Sequence, residues 1–201
     1  MFLADPPLDP QVRAMYDRDL VDDGYVANST RMWAWRPDVF DAFKHTRVVT
    51  GEAMTLSDRE FALLLASTVS AERDGYCSLA WGSALALQTS DEVAAAVLSG
   101  ETPAELTQRE VALVSWCRAV VRDAAATTAT DVDELRAVGF GDRDVFEVTA
   151  IVAFRIAFST VRLALGVQPD VQLAQGASSA VRDVVDFGRP VADEPSTPVV
   201  G

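Results

Sequence analysis

The sequence predicts an all-α protein, a single-domain bundle of about six to eight helices. Apolar residues recur three and four positions apart in segments that begin with capping residues, which is the pattern of amphipathic helices. Alternating apolar and polar runs bounded by hairpin turns are absent, so no sheet is expected. Hydrophobic residues make up 49% of the 201-residue chain. This fraction is ample for one packed core.

The predicted helical domain covers residues 1–187. Residues 188–201 are rich in proline and poor in large apolar side chains, so they are predicted to form a flexible C-terminal tail. No apolar stretch reaches the roughly 18 residues of a membrane-spanning helix, and the N-terminus does not resemble a signal peptide. The sequence therefore predicts a cytoplasmic protein with no membrane partner.

The net charge and the cysteine and histidine content argue against nucleic-acid-binding, disulfide-bonded and metal-binding proteins. Thirty acidic against seventeen basic residues give a net charge of -13, which repels nucleic acid backbones. The two cysteines, Cys77 and Cys117, lie in helix-patterned segments and suggest neither a disulfide nor a metal site. His45 is the only histidine, so a multi-histidine metal site is not available, and no cofactor is expected.

The N-terminal part contains two predicted helices. Asp9 stands before a proline at the first helical position, and the helix then runs over residues 11–21. The second runs over residues 37–51. Between them, residues 24–36 concentrate aromatic and basic side chains and are expected to pack over the core.

One capped helix start is used twice. Ser57 to Glu60 form a capping box, in which each end satisfies the backbone of the other. Residues 106–113 repeat the pattern of residues 56–63 fifty positions later. Two further helices are predicted between these starts, one capped by Asp74 and one over residues 90–100.

The C-terminal half is dominated by one long helix. A capping box at Thr130 to Asp133 predicts a helix that ends at Gly139. Asp142 is then expected to cap the longest apolar helix, residues 145–165. Its apolar face is wide enough for a central position in the bundle.

Residues 56–85, LSDREFALLLASTVSAERDGYCSLAWGSAL, resemble the core motif of the alkylhydroperoxidase D-like / carboxymuconolactone decarboxylase family. That motif is a capped helix, a break and a Cys-x-x-Cys-x-x-x-His helix. A Gly-Tyr-Val-x-Asn segment before it and an Ala-Leu-Gly helix end after it extend the likeness over residues 16–170. The resemblance implies an alkylhydroperoxidase D-like fold, an antioxidant peroxidase activity and a homo-oligomer, a trimer or a hexamer.

Only one motif cysteine is kept in this degenerate version. By resemblance, Cys77 corresponds to the cysteine that attacks the peroxide, and Asp74 stands in place of the resolving cysteine. Trp81 replaces the histidine, and Ala62 replaces the relay glutamate. The motif positions expected to line the site are Glu60, Asp74, Tyr76 and Trp81.

The residues therefore predict a divergent peroxidase-like oxidoreductase with a single motif cysteine and weak or lost dithiol activity. The sulfenic acid that forms on a peroxidatic cysteine must condense with a nearby thiol before it can be reduced. Residue 74 supplies no such thiol. Cys117 lies in an apolar stripe beside Trp116, which favours an ordinary buried cysteine.

Two alternatives stay open at this stage. One is a decarboxylase or hydrolase of a small carboxylated substrate, with Arg155 and Arg162 as an anion clamp on nearly the same face of the long helix. These arginines are equally compatible with ion pairs to acids of another helix or subunit. The other alternative is a non-catalytic oligomeric binding or scaffold protein.

Overall fold

Eleven α-helices and one 3₁₀ turn form the secondary structure of residues 1–52 and 54–195, which are the residues that the computed structural model describes. Within these ranges there is no β-strand, as the sequence predicts. The helices are α1 (Pro10–Asp22), α2 (Asn28–Trp33), α3 (Pro37–Glu52), α4 (Asp58–Ala71), α5 (Gly75–Gln88), α6 (Asp91–Leu98), α7 (Gln108–Asp123), α8 (Ala129–Ala137), α9 (Asp142–Ala164), α10 (Val171–Gly176) and α11 (Ser179–Val184), with the 3₁₀ turn at Ala124–Ala126.

All eight predicted helices are present, and α2, α10 and α11 come in addition. Each of these three has six residues, fewer than two turns, so its apolar residues cannot repeat often enough to reveal a period. Two predicted helix starts are displaced. The capping box of α8 is formed by Thr128 and Asp131, and α9 begins after Gly141, whose N–H donates to Asp144 Oδ2 at 2.7 Å.

Helix α4 is the centre of the bundle. Every residue from Ala62 to Ser70 is buried, and the helix packs against α5, α6, α7 and α9. A helix that is apolar on all sides must be enclosed by others. This central position brings the start of α5, which follows α4 after a three-residue break, next to the buried face of α9.

The starts of α4 and α7 are joined by two crossed ion pairs. Each helix begins with a capping box that contains an arginine. Arg59 Nε donates to Glu110 Oε1 at 2.5 Å. Arg109 Nε donates to Glu60 Oε1 at 2.7 Å. Each glutamate thus closes its own cap and binds the arginine of the other helix.

The two ends of the described chain meet at the C-terminal end of α9. Phe2 N donates to Leu165 O at 2.9 Å, and Arg189 Nη2 donates to Leu163 O at 3.1 Å. The C-terminal tail predicted from residue 188 includes residues 196–201, which lie outside the described residues. No helix in the described part of the chain combines the length and apolar character needed to cross a membrane.

Candidate functional site

Cys77 lies in the first turn of α5, where Asp74 caps the helix. Asp74 Oδ1 accepts from the backbone N–H of Cys77 at 3.2 Å, as the sequence predicts. Asp74 is fully buried, and Cys77 is 4% exposed. Asp74 therefore holds the helix turn on which Cys77 is placed.

Arg162 of α9 connects the two residues. Its Nη2 donates to Cys77 Sγ at 3.0 Å and forms an ion pair with Asp74 Oδ2. The Ser159 hydroxyl donates to the same carboxylate oxygen at 2.6 Å. Burial acts to lower the pKa of Arg162, but the charges of Cys77 and Asp74 outweigh burial, so the pKa lies above its ordinary value. The guanidinium is thus a permanent cation beside the sulfur.

Tyr76 contacts the guanidinium of Arg162 with its aromatic ring. Its ring lies under the guanidinium, 4.3 Å from Arg162 Cζ to the ring centroid. Its hydroxyl donates to Asp170 Oδ2 at 2.5 Å, and Asp170 Oδ1 accepts from Asn28 N at 3.0 Å. Burial and the Asp170 charge raise the pKa of Tyr76 well above its ordinary value. The neutral phenol therefore connects α5 to α2 and to the segment after α9.

The other two predicted motif positions lie elsewhere. Trp81, one turn after Cys77, packs edge-on against Phe61 with ring centroids 6.2 Å apart. The indole ring of Trp81 is therefore packed against an aromatic neighbour and not against Cys77 or Asp74 in the described structure. Glu60 serves the cap of α4 and binds Arg109, at the end of α4 opposite to Asp74. Since a helix rises 1.5 Å per residue, the length of α4 separates them by about 20 Å.

Arg155 differs from Arg162 although both are buried on the same face of α9. Arg155 is 3% exposed, and its Cζ lies 4.4 Å from the centroid of the Phe158 ring. Its Nε and Nη2 are buried without a hydrogen-bond acceptor among the described residues. Within those residues it also lacks an acidic side chain at ion-pair distance, whereas Arg162 has Asp74.

A second cation approaches from α3. Arg47 Cζ lies 5.8 Å from the centroid of the Phe158 ring that Arg155 also contacts. Burial, followed by repulsion from Arg155, lowers the pKa of Arg47 to about 10, although Cys77 acts in the opposite direction. Arg162 also lies near this ring, with its Cζ 5.6 Å from the centroid, so three cations surround Phe158, and of these only Arg162 has an ion pair among the described residues.

Glu72 is a functional candidate that sequence reasoning missed. Its Oε2 is buried without a hydrogen bond in the described structure. Burial, and after it the charge of Asp74, raises the pKa of Glu72 to about 7, while Ser159, Arg155 and Arg162 oppose this shift. The one available signal is its position in a charged break between two apolar helices.

The remaining cysteine and the histidine, Cys117 and His45, differ from the residues of this cluster in their surroundings. Cys117 is fully buried in α7, and burial raises the pKa of its thiol to about 12. A thiol of this kind is not available as a nucleophile near neutral pH. His45 is exposed on α3. Among residues 1–52 and 54–195, no cluster of three or more His, Cys, Asp or Glu side chains is arranged to hold a metal ion.

A cleft of about 450 Å³ opens between α3, the start of α4 and α9. Arg47 lines it together with Phe61 and Ile151. Phe61 is the residue that packs against Trp81, and Ile151 lies one helical turn before Arg155. The cleft is therefore lined by a residue one turn from Arg155 on α9 and by the residue that contacts Trp81 of α5.

Comparisons with solved structures identify the fold. An alkylhydroperoxidase AhpD core, an uncharacterised peroxidase-related protein from Ralstonia eutropha JMP134, is 24% identical and superimposes with a TM-score of 0.75, covering 86% of this chain and 93% of that one. A peroxidase-related protein from Silicibacter sp. TM1040 is 21% identical with a TM-score of 0.73 and the same coverage, 86% and 93%.

A third similar structure is a cysteine-to-alanine variant of the debrominase Bmp8 in complex with 2,3,4-tribromopyrrole. It is 18% identical, with a TM-score of 0.67, and covers 92% of this chain and 97% of that one. No protein-family model and no curated protein matches the sequence. The chain thus has the AhpD-like helical fold, which confirms the fold that the sequence predicts.

Proposed function

We propose that this protein is a single-cysteine, peroxidase-like oxidoreductase in which Cys77 attacks a hydroperoxide and an external thiol regenerates it. The observation that carries the proposal is the contact between Arg162 Nη2 and Cys77 Sγ, 3.0 Å apart at the start of α5. Arg162 places a cation, and α5 places its N-terminal end, beside the sulfur that would attack the hydroperoxide. The neighbouring carboxylate of Asp74 is bound by Arg162 and Ser159.

The first step forms a bond between the Cys77 sulfur and the terminal oxygen of the hydroperoxide, while the O–O bond breaks. The sulfur is oxidised to a sulfenic acid, and the alkoxide that leaves takes up a proton to become an alcohol. An external thiol then attacks the sulfenic acid, which gives a mixed disulfide and water. A second thiol releases Cys77 and carries away the disulfide.

An external thiol is required because this chain offers no internal one. Asp74 occupies the place of the resolving cysteine, and Cys117 is fully buried with a pKa raised to about 12. Both cysteines are free thiols. The route therefore consumes two molecules of monothiol, or one dithiol, for each hydroperoxide.

The test compares Cys77→Ser with Cys117→Ala in steady-state consumption of cumene hydroperoxide with dihydrolipoamide as reductant. We expect the wild-type chain and Cys117→Ala to turn over, and Cys77→Ser to fall to the rate without protein. Dimedone should label the oxidised wild-type chain at Cys77, as read by peptide mass spectrometry. Equal background rates in all three chains, with no dimedone adduct, would overturn the proposal.

The alternative of a decarboxylase or hydrolase of a small carboxylated substrate loses part of its support, since Arg162 is taken up by Asp74. Arg155 still supports an anionic ligand. A chain without turnover that binds such a ligand would favour this alternative or that of a binding protein.

A further inference from the structure

We infer that Arg155 and Arg47 form a subsite for the carboxylate of the substrate, so that the protein acts on small hydroperoxides that carry a carboxylate on an apolar body. The reaction part of this inference rests on the proposed function. The binding part rests on the two arginines alone and can be tested separately.

Arg155 is a buried cation that has no ion pair among the described residues. Its side chain is 3% exposed, and two of its guanidinium nitrogens have no acceptor in that part of the structure. Burying an unpaired cation is unfavourable, and an anion from outside would relieve that cost. A guanidinium is suited to a carboxylate because its N–H groups can bind both oxygens at once.

Arg47 provides the second contact. Arg47, on α3, has its Cζ 5.8 Å from the centroid of the Phe158 ring, and the Cζ of Arg155 lies 4.4 Å from the same centroid. Their repulsion contributes to the lowered pKa of Arg47. An anion between them would remove this repulsion, which makes the pair a stronger anion site than either arginine alone.

The other charged groups around the pair do not provide that anion. Asp74 is bound by Arg162, which also donates to Cys77. Glu72 acts on Arg155 through its charge but forms no ion pair with it among the described residues, and its pKa of about 7 leaves it partly protonated at neutral pH. The positive charge of the two arginines is therefore available to a ligand.

The surroundings indicate an apolar body for the ligand. The Phe158 ring stacks with Trp33 and Phe43, with centroids 5.2 and 5.9 Å apart. The cleft of about 450 Å³ that Arg47 lines falls in the range of small-molecule sites, roughly 300–1,000 Å³. Its charged lining is mixed, with Lys44 and Arg47 against Glu52 and Asp58. A compact carboxylate with an aromatic or branched alkyl body fits this combination.

The first experiment uses two substrates that differ only in charge: cumene hydroperoxide with a para-carboxylate, and the methyl ester of that compound. For the wild-type chain we expect a KM at least tenfold lower for the carboxylate, because a charge-assisted hydrogen bond is stronger than one to a neutral group. Arg155→Met and Arg47→Met should each raise the KM for the carboxylate about tenfold and so remove most of the difference between the two substrates, whereas Arg36→Met, at an exposed ion pair, should leave the kinetics with both substrates unchanged. Equal KM values for both compounds in wild type would overturn the inference.

The second experiment does not require turnover. Calorimetric binding of 4-isopropylbenzoate, which has no peroxide group, should be detectable for the wild-type chain and weakened about tenfold in Arg155→Met. Arg36→Met, at an exposed ion pair, is the matched control and should bind as wild type does. Binding without turnover would leave the subsite standing and refute the proposed peroxidase. Turnover of the ester with no binding of the benzoate would do the reverse.

Inorganic phosphate and thermal unfolding complete the test. Phosphate that binds as tightly as 4-isopropylbenzoate would show a site for free inorganic anions and would overturn the inference of an organic substrate.

Thermal unfolding tests whether Arg155 has a structural role. Because removal of an unpaired buried charge relieves its cost, Arg155→Met should unfold at or above the wild-type temperature. A midpoint several degrees lower would mark a structural arginine and overturn the inference. Arg155→Lys keeps the charge and should retain part of the binding.

Discussion

Asp74 serves two structural purposes in one side chain. One carboxylate oxygen caps α5 and the other binds Arg162 and Ser159. The cap is visible in the sequence because a cap acts on residues three positions away. The ion pair is not, because its partner is 88 residues away and is brought close only by the packing of α9.

Asp74→Asn tests the ion pair while keeping the shape of the side chain and its capping oxygen. We expect a loss of about 3–5 kcal/mol in the free energy of unfolding, since the change leaves Arg162 as a second buried cation without a partner. Urea unfolding measures this loss. The double variant Asp74→Asn with Arg162→Met should recover a large part of it. A single variant as stable as wild type would contradict the pair's role.

Glu72 predicts a dependence of stability on pH. Its pKa is raised from 4.5 to about 7 in the folded chain, so the folded state holds a proton that the unfolded state releases between these values. Stability from this group is therefore fully present below pH 4.5 and is lost as the pH rises through 7. The loss is on the order of 2 kcal/mol after allowance for partial exposure.

The measurement compares urea unfolding of the wild-type chain and Glu72→Gln across this pH range. Other acids contribute equally to both chains, so the difference between them isolates Glu72. The wild-type chain should lose stability relative to the variant as the pH rises. A difference that does not change with pH would refute the shift.

The sequence does not predict which charged side chains pair with each other at the site. The sequence places Cys77 and Tyr76 beside Asp74 because a helical turn fixes their spacing. It also places Arg155 and Arg162 on one face, but which of them meets an acid depends on where α5 and α3 pack against that face. The unpaired state of Arg155 is thus a property of the tertiary structure alone.

Helix α5 lies close to α6 and α11 at Gly82. A Cβ at this position would lie 2.5 Å from Leu98 Cδ1 of α6 and 2.9 Å from Val181 Cγ1 of α11. Only a residue without a side chain fits at these distances. The glycine therefore sets the spacing between α5 and both helices.

Gly82→Ala should destabilise the chain by about 1–3 kcal/mol through overpacking. Gly176→Ala is the control, since a Cβ there would meet nothing within 4 Å, and it should change stability by less than about 1 kcal/mol. Thermal or urea unfolding of both variants gives the comparison. Equal effects of the two substitutions would show that α5 can move away from its neighbours.

Local signals account for most of the predicted elements. Capping residues predict the starts of α1, α4, α5 and α7, and the structure confirms each of these caps. Helices α10 and α11 escape prediction because they are held by contacts with α5 and α6 rather than by their own pattern. The sequence thus predicts the long helices well and the short ones poorly.

At the scale of the whole molecule, the segment after α11 supports the start of α5. Gly188 has a φ of +77°, and a Cβ there would lie 2.7 Å from Gly75 N and 2.8 Å from Arg73 O. A Cβ on Gly75 would lie 2.5 Å from Phe187 O. Two glycines therefore let the C-terminal segment lie directly on the turn that carries Cys77.

Gly188→Ala should loosen this contact and raise the rate at which iodoacetamide alkylates Cys77 severalfold. Gly24→Ala is a matched control, because Gly24 has a similar φ of +79° but open space around it. Both variants bear the backbone strain of a non-glycine residue at positive φ, about 1–2 kcal/mol. Only Gly188→Ala should change the labelling rate, as followed by mass spectrometry. The same rate in both variants would contradict the supporting role of the segment.

The crossed ion pairs between α4 and α7 predict that the residues which form them change together during evolution. Loss of Arg59 alone would leave Glu110, which is 5% exposed, as a buried carboxylate without its cation. Loss of Arg109 alone would leave Glu60 without its cation, with a smaller cost because the Glu60 side chain is less buried than that of Glu110. Among homologous sequences, each of these arginines should therefore vary together with the glutamate that it binds, so that two segments fifty residues apart evolve as one unit.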